Sequence, residues 1–119
     1  MQASPPRALV VDDDAALRML GRVNLELEGF VVAEAATVAE AEAALAKERP
    51  DVVLLDVHLG GEHTHNLLAR LRAEGIPVAL VTGSVDIERY RSEADGVLTK
   101  PFAPQELVDL ARRLAKVEA

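Results

Sequence analysis

Short apolar runs alternate along the chain with longer segments whose apolar residues recur every three or four positions. Ala8 to Val11 is an unbroken apolar run, too short for a buried helix and closed by Asp12, Asp13 and Asp14, so it predicts a buried strand. Leu17, Leu20, Val23 and Leu27 then step by three or four, the spacing of a helix face. Gly29 stands where a left-handed residue would stop that helix. Phe30 to Ala33 predicts a second strand. Thr37 and Glu40 have capping-box spacing around Val38, Ala41 and Leu45, and open a second helix. Pro50 ends the connection, and Val52 to Leu55 predicts a third strand running directly into Asp56. Beyond a loop rich in glycine and histidine, Leu67, Leu68 and Leu71 mark a third helix. Gly75-Ile76-Pro77 punctuates the chain before a fourth strand, Val78 to Val81. Asp86 to Asp95 is charged on most sides and predicts a short, weakly anchored fourth helix. Val97 to Thr99 is a minimal fifth strand. Pro104 suits the first position of a last helix whose buried face is Leu107, Leu110 and Leu114.

Five strands alternating with five helices imply parallel strands, right-handed crossovers and helices on both faces of the sheet. The expected fold class is α/β: a three-layer, doubly wound (βα)5 architecture of the flavodoxin-like group, with strand order 2-1-3-4-5. Residues 1–6, ending in Ser4-Pro5-Pro6, predict a disordered lead, and residues 7–119 a single domain. Ligands of such sheets bind beyond the carboxyl ends of the strands, where the strand order reverses. Here that point lies between strands 1 and 3.

The polar residues gather at that point. Asp12 and Asp13 follow strand 1, Asp56 follows strand 3, Thr82 ends strand 4 and Lys100 ends strand 5. Carboxylates crowded together repel unless a positive charge sits among them. Mg²⁺ answers that need, because it takes a few carboxylates together with waters and phosphate oxygens. A carboxylate is also a nucleophile toward phosphorus, and that transfer depends on in-line positioning and on neutralising the transferred oxygens. Lys100 supplies a second positive charge, the Thr82 hydroxyl can donate to a phosphoryl oxygen, and Gly83 leaves space beside it.

Composition narrows the partners. The net charge of −7 argues against binding nucleic acid through its phosphates and offers no basic surface to anionic lipid. No apolar stretch approaches the roughly 20 residues that cross a bilayer, and Met1 to Pro6 has no secretory pattern. The chain has no cysteine, which is compatible with a reducing, cytoplasmic location. Its only aromatics are Phe30, Tyr90 and Phe102, so the core must be aliphatic.

The series Val10-Val11-Asp12-Asp13-Asp14, Leu54-Leu55-Asp56-Val57, Val81-Thr82-Gly83 and Leu98-Thr99-Lys100-Pro101-Phe102 resembles the CheY-like receiver domain of bacterial two-component response regulators. The resemblance covers Arg7 to about Val117. It implies that Asp56 is the phosphoacceptor, that Asp12 and Asp13 organise Mg²⁺, and that Asp56 and the His58 backbone carbonyl complete the protein ligands. Thr82 and Lys100 would contact the phosphoryl group, and the Lys100-Pro101 bond would be cis. It also implies a sensor histidine kinase or phosphotransfer protein as donor, and slow self-catalysed loss of the phosphoryl group rather than enzymatic turnover. A downstream protein would meet the face formed by the fourth helix, fifth strand and fifth helix. No direct contact with nucleic acid or membrane is implied.

Several residues have a plainer role. Asp14 predicts an N-cap for the first helix. His58, His63 and His65 read as solvated loop residues, with a transition-metal site as the alternative. The His58 side chain, two residues beyond Asp56, is expected to overhang the site and influence hydrolysis. Departures from the family pattern matter too. Val97 occupies the position where many receivers carry a switching aromatic. The loop His58-Leu59-Gly60-Gly61-Glu62 lacks the usual Pro and Asp-Gly, as in a subgroup often found as stand-alone receivers. The signal is therefore expected to travel through Gly83 to Ala94, with Tyr90 as its aromatic. Both a free-standing regulator and a receiver cut from a longer protein fit this sequence. A competing reading is a phosphorylation-independent interaction module that keeps the fold. A phosphatase of the haloacid dehalogenase type would want a second aspartate where His58 stands, and a cap domain that this length does not hold. A flavin site conflicts with carboxylates at the end of strand 1.

Overall fold

A computed structural model of the 119-residue protein describes residues 4–83 and 91–117. Its elements run β1 (Arg7–Val11), α1 (Ala15–Leu27), β2 (Val31–Ala35), α2 (Val38–Lys47), β3 (Val52–Asp56), β4 (His58–Leu59), β5 (Glu62–His63), α3 (His65–Ala73), β6 (Val78–Thr82), β7 (Gly96–Thr99) and α4 (Pro104–Leu114). Five of the strands form one parallel sheet in the order β2-β1-β3-β6-β7, while β4 and β5 pair apart from it as an antiparallel hairpin. Counting only strands of the main sheet, the order is second, first, third, fourth, fifth, as the sequence pattern predicts. Residues 86–90 of the predicted helix at 86–95, Tyr90 among them, fall outside the described residues.

β3 and β6 bury every residue, so they read as continuous apolar runs rather than alternating ones. Successive side chains still point to opposite faces. On one face Leu9, Val11, Val53, Leu55, Val78 and Leu80 pack with Ala41 of α2 and Leu67, Leu68 and Leu71 of α3. On the other, Ala8, Val10, Val52, Leu54, Ala79 and Val81 pack with Leu25 of α1 and Leu107, Val108 and Leu110 of α4.

The Gly29 stop is as expected. Gly29 takes φ +91, its N–H donates to the Glu26 carbonyl, and the Phe30 N–H reaches back to the Leu25 carbonyl at 3.0 Å. That use of the Phe30 amide delays β2, which starts at Val31 and runs on to Ala35 instead of ending at Ala33. The expected face of α1 requires a larger correction. Leu17 and Leu20 are half-buried, but Val23 and Leu27 lie exposed, Leu27 at 78%. The buried residues of this helix are Gly21 and Leu25, and Gly21 lets the backbone approach Val10 of the sheet. Repeated steps of three drift round a helix of 3.6 residues per turn, so the leucine pattern turned away from the sheet.

Candidate functional site

The end of β1 divides three adjacent carboxylates among three tasks. The Asp12 N–H donates to the Ala35 carbonyl at 3.0 Å, which keeps Asp12 on the sheet edge with its side chain buried. Asp12 Oδ1 accepts from the Asp14 N–H at 2.9 Å, and the Arg18 guanidinium donates to the Asp12 carbonyl at 2.7 Å. Asp14 turns the other way and caps α1, accepting from the amides of Ala16 and Leu17 at 2.9 and 3.3 Å. Asp13 is exposed and accepts from the Gly60 N–H at 3.0 Å, which ties the β4–β5 hairpin to the strand end.

Asp56 is the last residue of β3, buried and in register with Val81 of β6. Its two oxygens are held separately, Oδ1 by the His58 N–H at 3.0 Å and Oδ2 by Lys100 Nζ at 3.0 Å. Lys100 Nζ also lies 3.4 Å from Asp12 Oδ2. Lys100 is brought there by its own N–H, which donates to the Thr82 carbonyl at 2.9 Å and extends the β6–β7 pairing by one residue. The following Lys100-Pro101 bond is cis, as expected. Thr82 ends β6, buried, one residue past the partner of Asp56. A Cβ on Gly83 would stand 3.9 Å from the Lys100 Cβ, an ordinary contact.

Asp12, Asp13 and Asp56 each place a carboxylate oxygen within 4.8 Å of the others, the one group of potential metal ligands found among the described residues. Burial is the main cause raising the Asp12 pKa, and the charge of Asp56 adds to it; the Asp14 N–H and Lys100 oppose the rise without cancelling it. For Lys100 burial acts downward, but the hydrogen bond to Asp56 and the charges of Asp12 and Asp56 outweigh it, and the pKa is raised. Its ammonium is therefore charged at neutral pH. Three carboxylates against one ammonium leave the site formally negative, and all-oxygen donors at this spacing fit a hard divalent cation such as Mg²⁺.

The histidines are placed differently from one another. His58 is exposed, with its N–H engaged by Asp56, and His65 opens α3 at the surface. His63 faces His58 across the hairpin in backbone register, and its side chain lies outside the described atoms. Val97 is half-buried and packs on the α2–α3 side of the sheet. Sequence reasoning missed three participants. Arg18 and the hairpin amide of Gly60 give no signal in the chain, because each depends on a neighbour brought close by folding. Thr64 gives a misleading one, since it stands where a helix cap is expected.

Comparison with known proteins adds an independent line. The family model described as response regulator receiver domain matches residues 8–112. The DNA-binding response regulator MtrA of Mycobacterium tuberculosis is 38% identical over 117 residues, covering 94% of this chain and 51% of the relative. The chain thus spans about half the length of the curated relatives it matches. Among solved structures, a CheY-like response regulator receiver domain protein from Methanospirillum hungatei superposes with a TM-score of 0.85 at 29% identity, covering 95% of each chain. A response regulator from Thermotoga maritima gives a TM-score of 0.83 at 28% identity, over 95% of this chain and 99% of that one.

Proposed function

This chain belongs to the response regulator receiver domain family, and from that premise we propose that it accepts a phosphoryl group on Asp56 and signals through altered protein binding. The observation that carries the reading is the pairing of Asp56 Oδ2 with Lys100 Nζ at 3.0 Å, beside the Asp12 and Asp13 carboxylates. A carboxylate oxygen of Asp56 attacks phosphorus as the P–N bond of a donor phosphohistidine breaks and the imidazole leaves. The donor is a sensor histidine kinase or a phosphotransfer protein. Lys100 neutralises charge spreading over the transferred oxygens, and the Thr82 hydroxyl donates to one of them. Asp12, Asp13 and Asp56, with the His58 carbonyl, would hold Mg²⁺. When bound, that ion supplies further positive charge at the phosphoryl oxygens. Water then removes the phosphoryl group slowly, so the protein is a switch and not a turnover enzyme. The output is read by a downstream protein in the cytoplasm, at the face that includes β7 and α4.

A second reading, an interaction module independent of phosphorylation, draws on Val97 alone. Titration with beryllofluoride, with and without Mg²⁺, followed by two-dimensional amide NMR separates the two. Mg²⁺-dependent shifts spreading from Asp56 to Thr82 and Lys100 are expected in wild type and not in Asp56→Asn. A silent wild type would leave the interaction module as the better reading.

A further inference from the structure

Thr64 directly precedes α3, where a threonine ordinarily accepts a hydrogen bond from an amide of the first turn. It makes no such bond, and its backbone, at φ −101 and ψ 12, is not in the extended conformation usual for a cap. The side chain is instead turned back into the protein, 4% exposed. There its hydroxyl donates to the Val57 carbonyl at 3.0 Å and to the Asp56 carbonyl at 3.2 Å. A hydroxyl has one proton, so these two carbonyls share it.

The Val57 carbonyl belongs to the same peptide unit as the His58 N–H. A trans peptide is planar, with C=O and N–H pointing in opposite directions, so fixing one end of the unit fixes the other. On the far side of that unit the His58 N–H meets Asp56 Oδ1 at 3.0 Å. Rotation of a carboxylate about its last torsion is soft, so the direction of the attacking oxygen depends on what grips each oxygen. Lys100 grips Oδ2, and the peptide pinned by Thr64 grips Oδ1.

We propose that Thr64 is a positioning residue for phosphoryl transfer, whose buried hydroxyl orients the Val57–His58 peptide and through it the carboxylate of Asp56. The role rests on Asp56 being the phosphoacceptor. Thr64 touches neither donor nor phosphoryl group; it holds the nucleophile in a near-attack orientation.

The test compares wild type with Thr64→Val, which keeps the shape without the proton, and Thr64→Ser, which keeps the proton without the methyl. Autophosphorylation is followed with acetyl phosphate and Mg²⁺ across donor concentrations, alongside the His58 amide proton shift and the melting temperature. In Thr64→Val the rate at saturating donor is expected to fall on the order of tenfold, the effect of losing one orienting hydrogen bond. The half-saturating donor concentration should stay where it is, and the His58 amide proton should move upfield as its bond to Asp56 loosens. Thr64→Ser should restore both rate and shift. If Thr64→Val does not fold, Thr64→Ala, which leaves room for a water, takes its place in the same comparison. A folded Val or Ala variant with the wild-type rate, or a folded Ser variant as slow as Val, would overturn the role of Thr64 while leaving Asp56 as acceptor. A wild type that takes up no phosphoryl group overturns the proposed function itself, and the positioning role with it.

Discussion

Asp12 sits in the folded protein at a cost. Its pKa is raised, chiefly by burial, so folding favours the protonated form. The stability this group contributes is fully present below the ordinary carboxylate range and is lost as pH rises through the raised folded value. Near neutral pH the ionised carboxylate is therefore a burden on the metal-free fold. Asp12→Asn, which keeps an acceptor for the Asp14 N–H, is expected to raise the melting temperature in chelator at pH 7 by a few degrees. That advantage should vanish in acid, where wild type is protonated too. A variant that melts lower at pH 7 would mean that the attraction of Lys100 outweighs burial. Residues of this kind were legible in the sequence, because strand ends brought Asp12, Asp13, Asp56 and Lys100 together wherever the exact boundaries fell. Thr64 was not. Its partners stand seven and eight residues back, across a hairpin whose path turns on Gly60 and Gly61, both at positive φ. Asp13 was legible as an acid and illegible as the anchor of Gly60, for the same reason.

Among the elements, α3 buries Leu67, Leu68 and Leu71 as their spacing assigns, and α4 buries Leu107 and Leu110 while Leu114 stays half-buried against the same cluster. α1 does not follow its spacing. Its inner line includes Gly21, a residue that a search for large apolar side chains passes over, and Met19, Val23 and Leu27 are left outside. A Cβ on Gly21 would stand 3.6 Å from Val10 Cγ1, ordinary contact distance. Gly21→Ala should therefore stabilise the protein by about 0.5–1 kcal/mol, the usual gain from removing a glycine inside a helix. Gly96 in β7 is the opposite case, since a Cβ there would come within 2.8 Å of Leu110 Cδ1 and 3.4 Å of Leu114 Cδ1. Gly96→Val should cost about 1–3 kcal/mol by overpacking α4 against the sheet. Urea midpoints for the two variants should move in opposite directions. A loss for Gly21→Ala would mean that α1 has no slack to accept even a methyl group.

For the molecule as a whole, the sheet order followed from general rules of chain connection, because five apolar runs alternating with helices leave few alternatives. The hairpin inserted after β3 lay beyond those rules, since it pairs only two residues on each side. The site draws on β1, β3, the hairpin and the end of β7, so a cation bound there holds segments far apart in the chain. At matched ionic strength, MgCl₂ is expected to raise the melting temperature of the folded domain more than NaCl does. Both salts screen the net charge of −7, but only the divalent ion adds binding free energy to the native state. Equal gains in the two salts would count against the cation site. The division of the interior by the sheet carries one more consequence. The apolar residues packed on its two faces form separate sets with no member in common. Mutations distant and without shared partners combine nearly independently. One flank can therefore be repacked without refitting the other, and without moving the carboxylates and the lysine gathered at the rim where the strands end.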